Sequence, residues 1–317
     1  KCRLKAKATS FSQRKSKLIK DIKRDKLLLT MLIIPLLYYA IFHYGPMYGA
    51  QIAFKDYKFL KGIFGSEWVG LKNFKMMFEQ PSFLQVFLNT IIISTYKLIF
   101  GYPAPIIFAL ILSEVHHVKF KKTVQTVTYL PHFISWVILA GMFLTFLSPS
   151  IGPINLLIKS LGLKPIFFLG DPKLFRGVLV ATSVWKGFGW GSIIYLAAIS
   201  GIDPELYEAA IIDGANRFDR MRYITIPSIA PAISITFIFA VGSIINDDFD
   251  QIFNLLNDAV LSVGEVISTY TYRRGLIRHE YSYSAAVGLF KNVISFVLVI
   301  ITNFFTKKIS DGEYGIW

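Results

Sequence analysis

Glu208-Ala209-Ala210-Ile211-Ile212-Asp213-Gly214-Ala215, followed by Ile224-Thr225-Ile226-Pro227, is a short polar interruption between two long apolar runs. Just upstream, Ile202-Asp203-Pro204-Glu205 reads as a helix start. Asp203 suits the N-cap, and Pro204 suits the first helical position, where no backbone N–H is needed. Leu206 to Ile212 then makes two turns of helix, and Gly214 permits a left-handed exit. A second short helix is predicted from Asn216 to Tyr223, leading into the next apolar run. A short helix with an apolar side and an acidic start suits insertion into a groove on a soluble partner. The small pair Ala209-Ala210 allows that partner to approach closely. Taken alone, the pattern also fits an ordinary amphipathic connector.

The flanks decide the class. Of 317 residues, 54% are hydrophobic and the mean hydropathy is +0.51, above the 45–50% apolar content of an average soluble domain. The excess is clustered, which makes this an integral membrane protein. A helix needs about 20 residues to cross about 30 Å of hydrocarbon. Six segments meet that length: 27–44, 84–112, 124–148, 177–200, 223–246 and 286–306. Helices are the expected form, because lipid offers no partner to an open backbone. Pro35, Pro103, Pro105 and Pro131 fall within spans, where neighbours can re-satisfy the freed groups. The expected architecture is therefore all-α with six transmembrane helices.

The net charge of +14 is unevenly spread. Residues 1–26 carry eleven Lys and Arg against Asp21 and Asp25. A basic run directly before an apolar run reads as a cytoplasmic anchor facing anionic lipid, not as a nucleic-acid site. The run Leu27 to Tyr44 lacks a small-residue cleavage site, so it reads as a retained first span. The chain divides into a basic segment, 1–26, and a transmembrane domain, 27–317. With the N-terminus inside, the inner pieces (1–26, 113–122, 201–222 and the tail from 307) hold 19 basic residues. The outer pieces (45–83, 149–173 and 247–285) hold 11, with acids even at ten on each side. Both termini and the loop 201–222 are thereby predicted to be cytoplasmic. Cys2 is the single cysteine, so no intrachain disulfide can form.

Signatures of bond chemistry are missing. Gly65 to Gly70 has phosphate-loop spacing, but Leu71 follows in place of Lys. The five His are scattered without a zinc set, and no nucleophile elbow occurs. No enzyme activity and no cofactor is expected in the chain itself. Lys97 and Lys186 lie within predicted spans, where a charge is expensive and faces a cavity or partner. The functional reading places them, with Trp190, along a translocation pathway. The competing reading is snorkelling or structural pairing. Gly187 and Gly191 suit close helix contact. Asp247, Asp248 and Asp250 follow the fifth span, and solvated loop acids are the favoured reading over a binding rim or cation site.

The loop carries a specific resemblance. Glu208-Ala209-Ala210, Gly214 six residues after the Glu and Pro227 nineteen after it match the "EAA" loop of ABC-importer permeases position by position. Asp213, Ile224 and Pro231 fit it too. Trp185-Lys186-Gly187-Phe188-Gly189-Trp190, Tyr195-Leu196-Ala197-Ala198 and Tyr283-Ser284-Ala285-Ala286-Val287-Gly288-Leu289-Phe290 resemble the branch importing oligosaccharides and polysaccharides. So do the first outer loop and the closing Gly315-Ile316-Trp317. Within that branch the first permease subunit of alginate importers is similar. Ser113, where Asn commonly precedes the Glu, and Asn246-Asp247-Asp248 depart from the pattern.

The resemblance implies a type I importer permease fold in a bacterial inner membrane. It implies that Glu208, Ala209, Ala210, Asp213, Gly214, Ile226 and Pro227 form the ATPase-coupling loop. It also implies partners: a second, different permease subunit, two ATPase subunits that bind ATP and Mg, and an extracytoplasmic solute-binding protein. The alternative is an ATP-independent secondary sugar transporter or channel, which would have no need of a docking helix. A membrane glycan-synthesising enzyme ranks last, because the inner acids are too scattered.

Overall fold

The computed structural model describes residues 24–245 and 248–309. Nearly all of the basic head, the pair Asn246-Asp247 and the closing Gly315-Ile316-Trp317 lie outside the described residues. Helix dominates, apart from one two-residue antiparallel pair that sets Lys55 against Trp68 and Asp56 against Glu67.

Among the described residues, four helical stretches are long and apolar enough to cross a membrane: Lys26–Phe54, Pro81–Ser113, Arg217–Gly242 and Tyr281–Lys308. They overlap the predicted first, second, fifth and sixth spans. The fourth predicted span is a 29-residue helix, Pro172–Ser200. At 1.5 Å per residue it is about 43 Å long. Gly, Ser, Trp and Lys186 dilute its apolar character, because it packs on protein on several sides. Its neighbours are Pro103–Ser113, Pro81–Gly101, Val118–Phe133 and Ile226–Gly242.

The third predicted span, 124–148, is corrected. It is not one helix but two, Val118–Phe133 and Trp136–Phe146, bent by 102°. The sequence gives the reason. Pro131 removes a backbone donor near the end of the first helix. Ile134 and Ser135 are extended, and the Ser135 hydroxyl caps the second helix by accepting from Ile138 N–H. A break strands carbonyls that lipid cannot satisfy. Lys186, reaching across from Pro172–Ser200, serves three carbonyls here: its Nζ donates to Pro131 O at 3.2 Å, His132 O at 2.8 Å and Ile134 O at 2.7 Å, and Pro131 O also accepts from Ile134 N–H at 3.3 Å. The Trp136 ring stands 5.5 Å from the same ammonium. Val118–Phe133 and Pro172–Ser200 also touch at Gly189, where an added Cβ would lie 2.2 Å from the Thr128 carbonyl oxygen.

The loops between the helices meet in two groups. At one end Ser113, Glu114 and His116 share a small cavity with Ile199, Tyr207, Arg220 and Thr225. At the other, buried amides stitch the remaining loops together. Asn73 donates to Ala53 O and Lys55 O, and Asn89 donates to Ser262 O and Glu265 O. Asn155 closes the 147–166 loop through both ends of its amide. Asn257 ties Leu169 to the last loop. Both apolar core clusters lie toward this end, one around Phe175, Leu179 and Ile252, the other around Phe83, Tyr270 and Tyr283.

Two substitutions test the break. Gly189→Val forces the helices apart and should destabilise by about 1–3 kcal/mol. Lys186→Met leaves His132 O and Ile134 O without the ammonium and should cost on the order of 3 kcal/mol. Thermal unfolding in detergent measures both; an unchanged midpoint for Lys186→Met would show that the carbonyls are satisfied without the ammonium.

Candidate functional site

The loop 201–225 folds as its residues dictate. Asp203 Oδ1 accepts from Glu205 N–H at 3.0 Å, and Pro204–Ile212 is helical. Gly214 adopts φ +83°, and Ala215 N–H returns to Ala210 O at 2.8 Å. That left-handed turn satisfies the last carbonyls of the helix, and a side chain there would be strained. Asn216 and Asp219 then form a reciprocal capping box. The second helix is shorter than predicted: Arg217–Arg220, followed by one wide turn, Met221–Thr225.

A single side-chain bond pins the helix to the following span, from Tyr207 to Thr225 Oγ1 at 2.9 Å. The rest of its surface is bare. Glu208, Ala209, Asp213, Gly214, Ile226 and Pro227 are exposed and Ala210 is half-buried. Ile212 is 86% exposed, and Leu206, Ile211, Phe218 and Tyr223 are also uncovered. Glu208, Ala209, Ala210, Asp213 and Gly214 thus lie on one helix and its exit, whereas Ile226 and Pro227 open the next helix, Ile226–Gly242, and exposed apolar side chains lie beside them.

The second feature is a cavity of about 380 Å³ between the spans. Helices Pro81–Gly101, Pro103–Ser113, Pro172–Ser200 and Ile226–Gly242 line it, with Ser94, Lys97, Tyr102, Ser183, Phe188, Ser243 and Asp248 among the lining residues. Lys97 Nζ donates to Asp248 Oδ2 at 2.8 Å and to Gln251 Oε1. Gln251 is fully buried, and its Nε2 donates to Leu179 O and Thr182 Oγ1. Those two acceptors fix the amide, so its oxygen faces the ammonium. Tyr102 donates to Ile233 O and stands 3.2 Å from Thr236 Oγ1, which also meets Tyr195.

The three proposed pathway residues therefore separate. Lys97 lines the cavity. Lys186 and Trp190 lie at the helix break, where Trp190 stacks on His132 at 4.6 Å and 4°. Lys186 takes the structural-pairing reading. The solvated reading of Asp248 is corrected, because its carboxylate is the counter-charge of an intramembrane lysine. Asp250 remains exposed, and Asp247 lies outside the described residues. Sequence reasoning missed Gln251 and Tyr102. The unusual acidity after the fifth span was the available signal for Asp248. Among the described residues, no cluster of three or more His, Cys, Asp or Glu is arranged for a metal.

Near the loop end, Glu265 is buried against Arg273. Burial pushes its carboxyl up from the ordinary range, and Arg273 opposes that rise.

Comparisons with known proteins agree on one class. Residues 101–311 match the family described as "Binding-protein-dependent transport system inner membrane component". Protein LplB of Bacillus subtilis (strain 168) is 45% identical over 287 residues, 90% of each chain. From the same organism, the polygalacturonan/rhamnogalacturonan transport system permease protein YteP is 42% identical, covering 96% of this chain and 94% of its own. Among solved structures, a chain of a bacterial ABC transporter involved in import of the acidic polysaccharide alginate is 40% identical, with a TM-score of 0.85 over 92% of this chain and 99% of that one. A chain of the alginate transporter in complex with an alginate pentasaccharide-bound periplasmic protein gives 0.86 at 40% identity, over 94% of this chain and 99% of that one. With two thirds of its length inside the family match and the same helical frame as these permeases, the chain belongs to the inner-membrane components of binding-protein-dependent transport systems.

Proposed function

We propose that this chain is one permease subunit of an ATP-driven importer of oligo- or polysaccharide. It shares a translocation pathway with a second, similar permease, and it couples to ATPase subunits through the Glu208 loop. The observation that carries the reading is the bare helix Pro204–Ile212. Its ends are firmly capped and its one anchor is Tyr207, yet its apolar flank has nothing on it. Uncovered apolar surface beside a polar rim marks an interaction site, and a helix held this rigidly can transmit force.

The mechanism is alternating access across six spans, with both termini and the coupling loop in the cytoplasm of a bacterial cell. ATP and Mg are held by the partner ATPases. Their dimer can drive the permeases only by binding one permease state better than the other. The coupling helix transmits that difference, and the tie from Tyr207 to Thr225 carries it into the following span. A solute-binding protein delivers cargo to the opposite end, where the loops are stitched by Asn73, Asn89, Asn155 and Asn257. Support for a saccharide cargo comes from the relatives, two of which handle acidic polymers by name. Alginate itself is one member of that class.

Two variants test the coupling. Glu208→Lys reverses a charge on the docking surface, and Gly214→Val strains the turn that ends the helix. Each should leave the subunit folded in the membrane. Each should lower co-purification of the ATPase, or transport-linked ATP hydrolysis, by roughly tenfold or more, the scale on which an interface anchor acts. Normal values of both quantities would defeat the assignment. Saccharide uptake by vesicles lacking any ATPase would replace it with an autonomous carrier.

A further inference from the structure

A lysine inside a membrane span needs polar partners at all times, because an unpaired ion there is strongly disfavoured. The side chain of Lys97 is only 16% exposed. Its two partners differ in kind. Gln251 is fully buried and immobilised by Leu179 O and Thr182 Oγ1, so it can only stay. Asp248 stands just before the short helix Phe249–Leu255, yet its carboxylate makes no capping bond to that helix. Its side chain is 49% exposed. Besides Lys97 its carboxylate meets the Ser183 hydroxyl, at 3.4 Å, and it also feels the charge of Lys186. The ammonium thus has one fixed acceptor and one loosely held anion, and an ammonium carries three donors.

The surroundings suit a sugar acid. The cavity falls within the usual size of a ligand pocket, about 300–1,000 Å³. Hydroxyls of Ser94, Ser183, Ser243 and Tyr102 line it beside the Phe188 ring. These are donors and acceptors for hydroxyl groups, with one cation among them. Lys97 is the cation in that lining and Asp248 the anion.

We infer that Lys97 is a carboxylate-binding group for an acidic saccharide, with Asp248 as its resident counter-ion, displaced when a uronate residue enters the cavity. The inference rests on the importer reading above and names the cargo chemistry within it. No bond is made or broken. The ammonium exchanges one carboxylate for another, and Gln251 holds it in place during the exchange. Between cargo residues Asp248 returns, so the lysine is never left unpaired.

The test is a double-mutant cycle in the complete transporter, reconstituted with its partner permease, ATPases and solute-binding protein. Uptake is followed for a galacturonate oligomer and for a neutral glucan oligomer of the same length. Lys97→Met should lower galacturonate uptake by roughly tenfold or more, the effect of removing one partner of a desolvated charge pair. Asp248→Asn removes the competing anion and should lower the half-saturating galacturonate concentration by about threefold or more, a fraction of the coupling typical of close charge pairs. The double variant, Lys97→Met with Asp248→Asn, contains no orphaned charge, so it carries the test even where Lys97→Met alone fails to assemble. It should assemble and remain as defective as Lys97→Met. Recovery of galacturonate uptake in the double variant would make the pair structural and overturn the inference. ATP-dependent uptake of the neutral oligomer alone by the unmodified protein would also overturn it, while leaving the importer reading intact. Absence of ATP-dependent uptake of both oligomers would instead defeat the importer reading, and this inference with it.

Discussion

Backbone carbonyls in hydrocarbon must find donors, and at the break near Pro131 one ammonium supplies three carbonyls, with Ile134 N–H also reaching Pro131 O. Lys186 gathers Pro131 O, His132 O and Ile134 O, so the chain can turn by 102° inside the bundle. Everything around the break depends on that closure. The central helix Pro172–Ser200 must stand close enough for the lysine to reach, and Gly189 permits the approach by having no side chain where Thr128 O sits. Trp190 and Trp136 then cover the site with rings, limiting the access of lipid to the polar knot. A charge is tolerated here because it has three acceptors and a ring face, not because it escapes to water.

The second charge in the spans, Lys97, is solved differently. It has one carboxylate and one amide oxygen, both arriving from the segment after the fifth span. That segment is held from behind by the Gln251 amide, which donates to Leu179 O of the central helix Pro172–Ser200, the helix that also carries Lys186. The loops at that end are secured by buried asparagines in place of long regular structure. Each bonds backbone groups outside its own element, which is how irregular chain stays ordered beside a membrane bundle.

Much of this was written in the sequence. Asp203, Pro204 and Gly214 mark a helix start and stop by local chemistry alone, and Pro204–Ile212 follows them. Long apolar runs located the first, second, fifth and sixth helical stretches, since burial in lipid requires only length and hydropathy. The third run misled because hydropathy does not register direction. A 25-residue apolar stretch reads the same whether it is straight or folded at Pro131 and Ser135. The helix at 172–200 was found although it is too polar to pass on composition, because its neighbours, not lipid, cover it. The partners of Lys97 and Lys186 were beyond reach. Lys97 meets a residue 151 positions away and Lys186 carbonyls more than 50 positions away, and no local pattern encodes such meetings. Asp248 looked like a surface acid because its sequence neighbours are polar, whereas its spatial neighbour is a lysine within the bundle.

Pairing Lys97 with Asp248 also settles how the site responds to voltage. A lone charge crossing the whole membrane field exchanges about 2.3 kcal/mol for every 100 mV. An ammonium and a carboxylate 2.8 Å apart move as a dipole of zero net charge. So long as the pair stays closed, displacing it performs almost no electrical work, and only an exchange of the lysine's carboxylate partner would feel the transmembrane voltage.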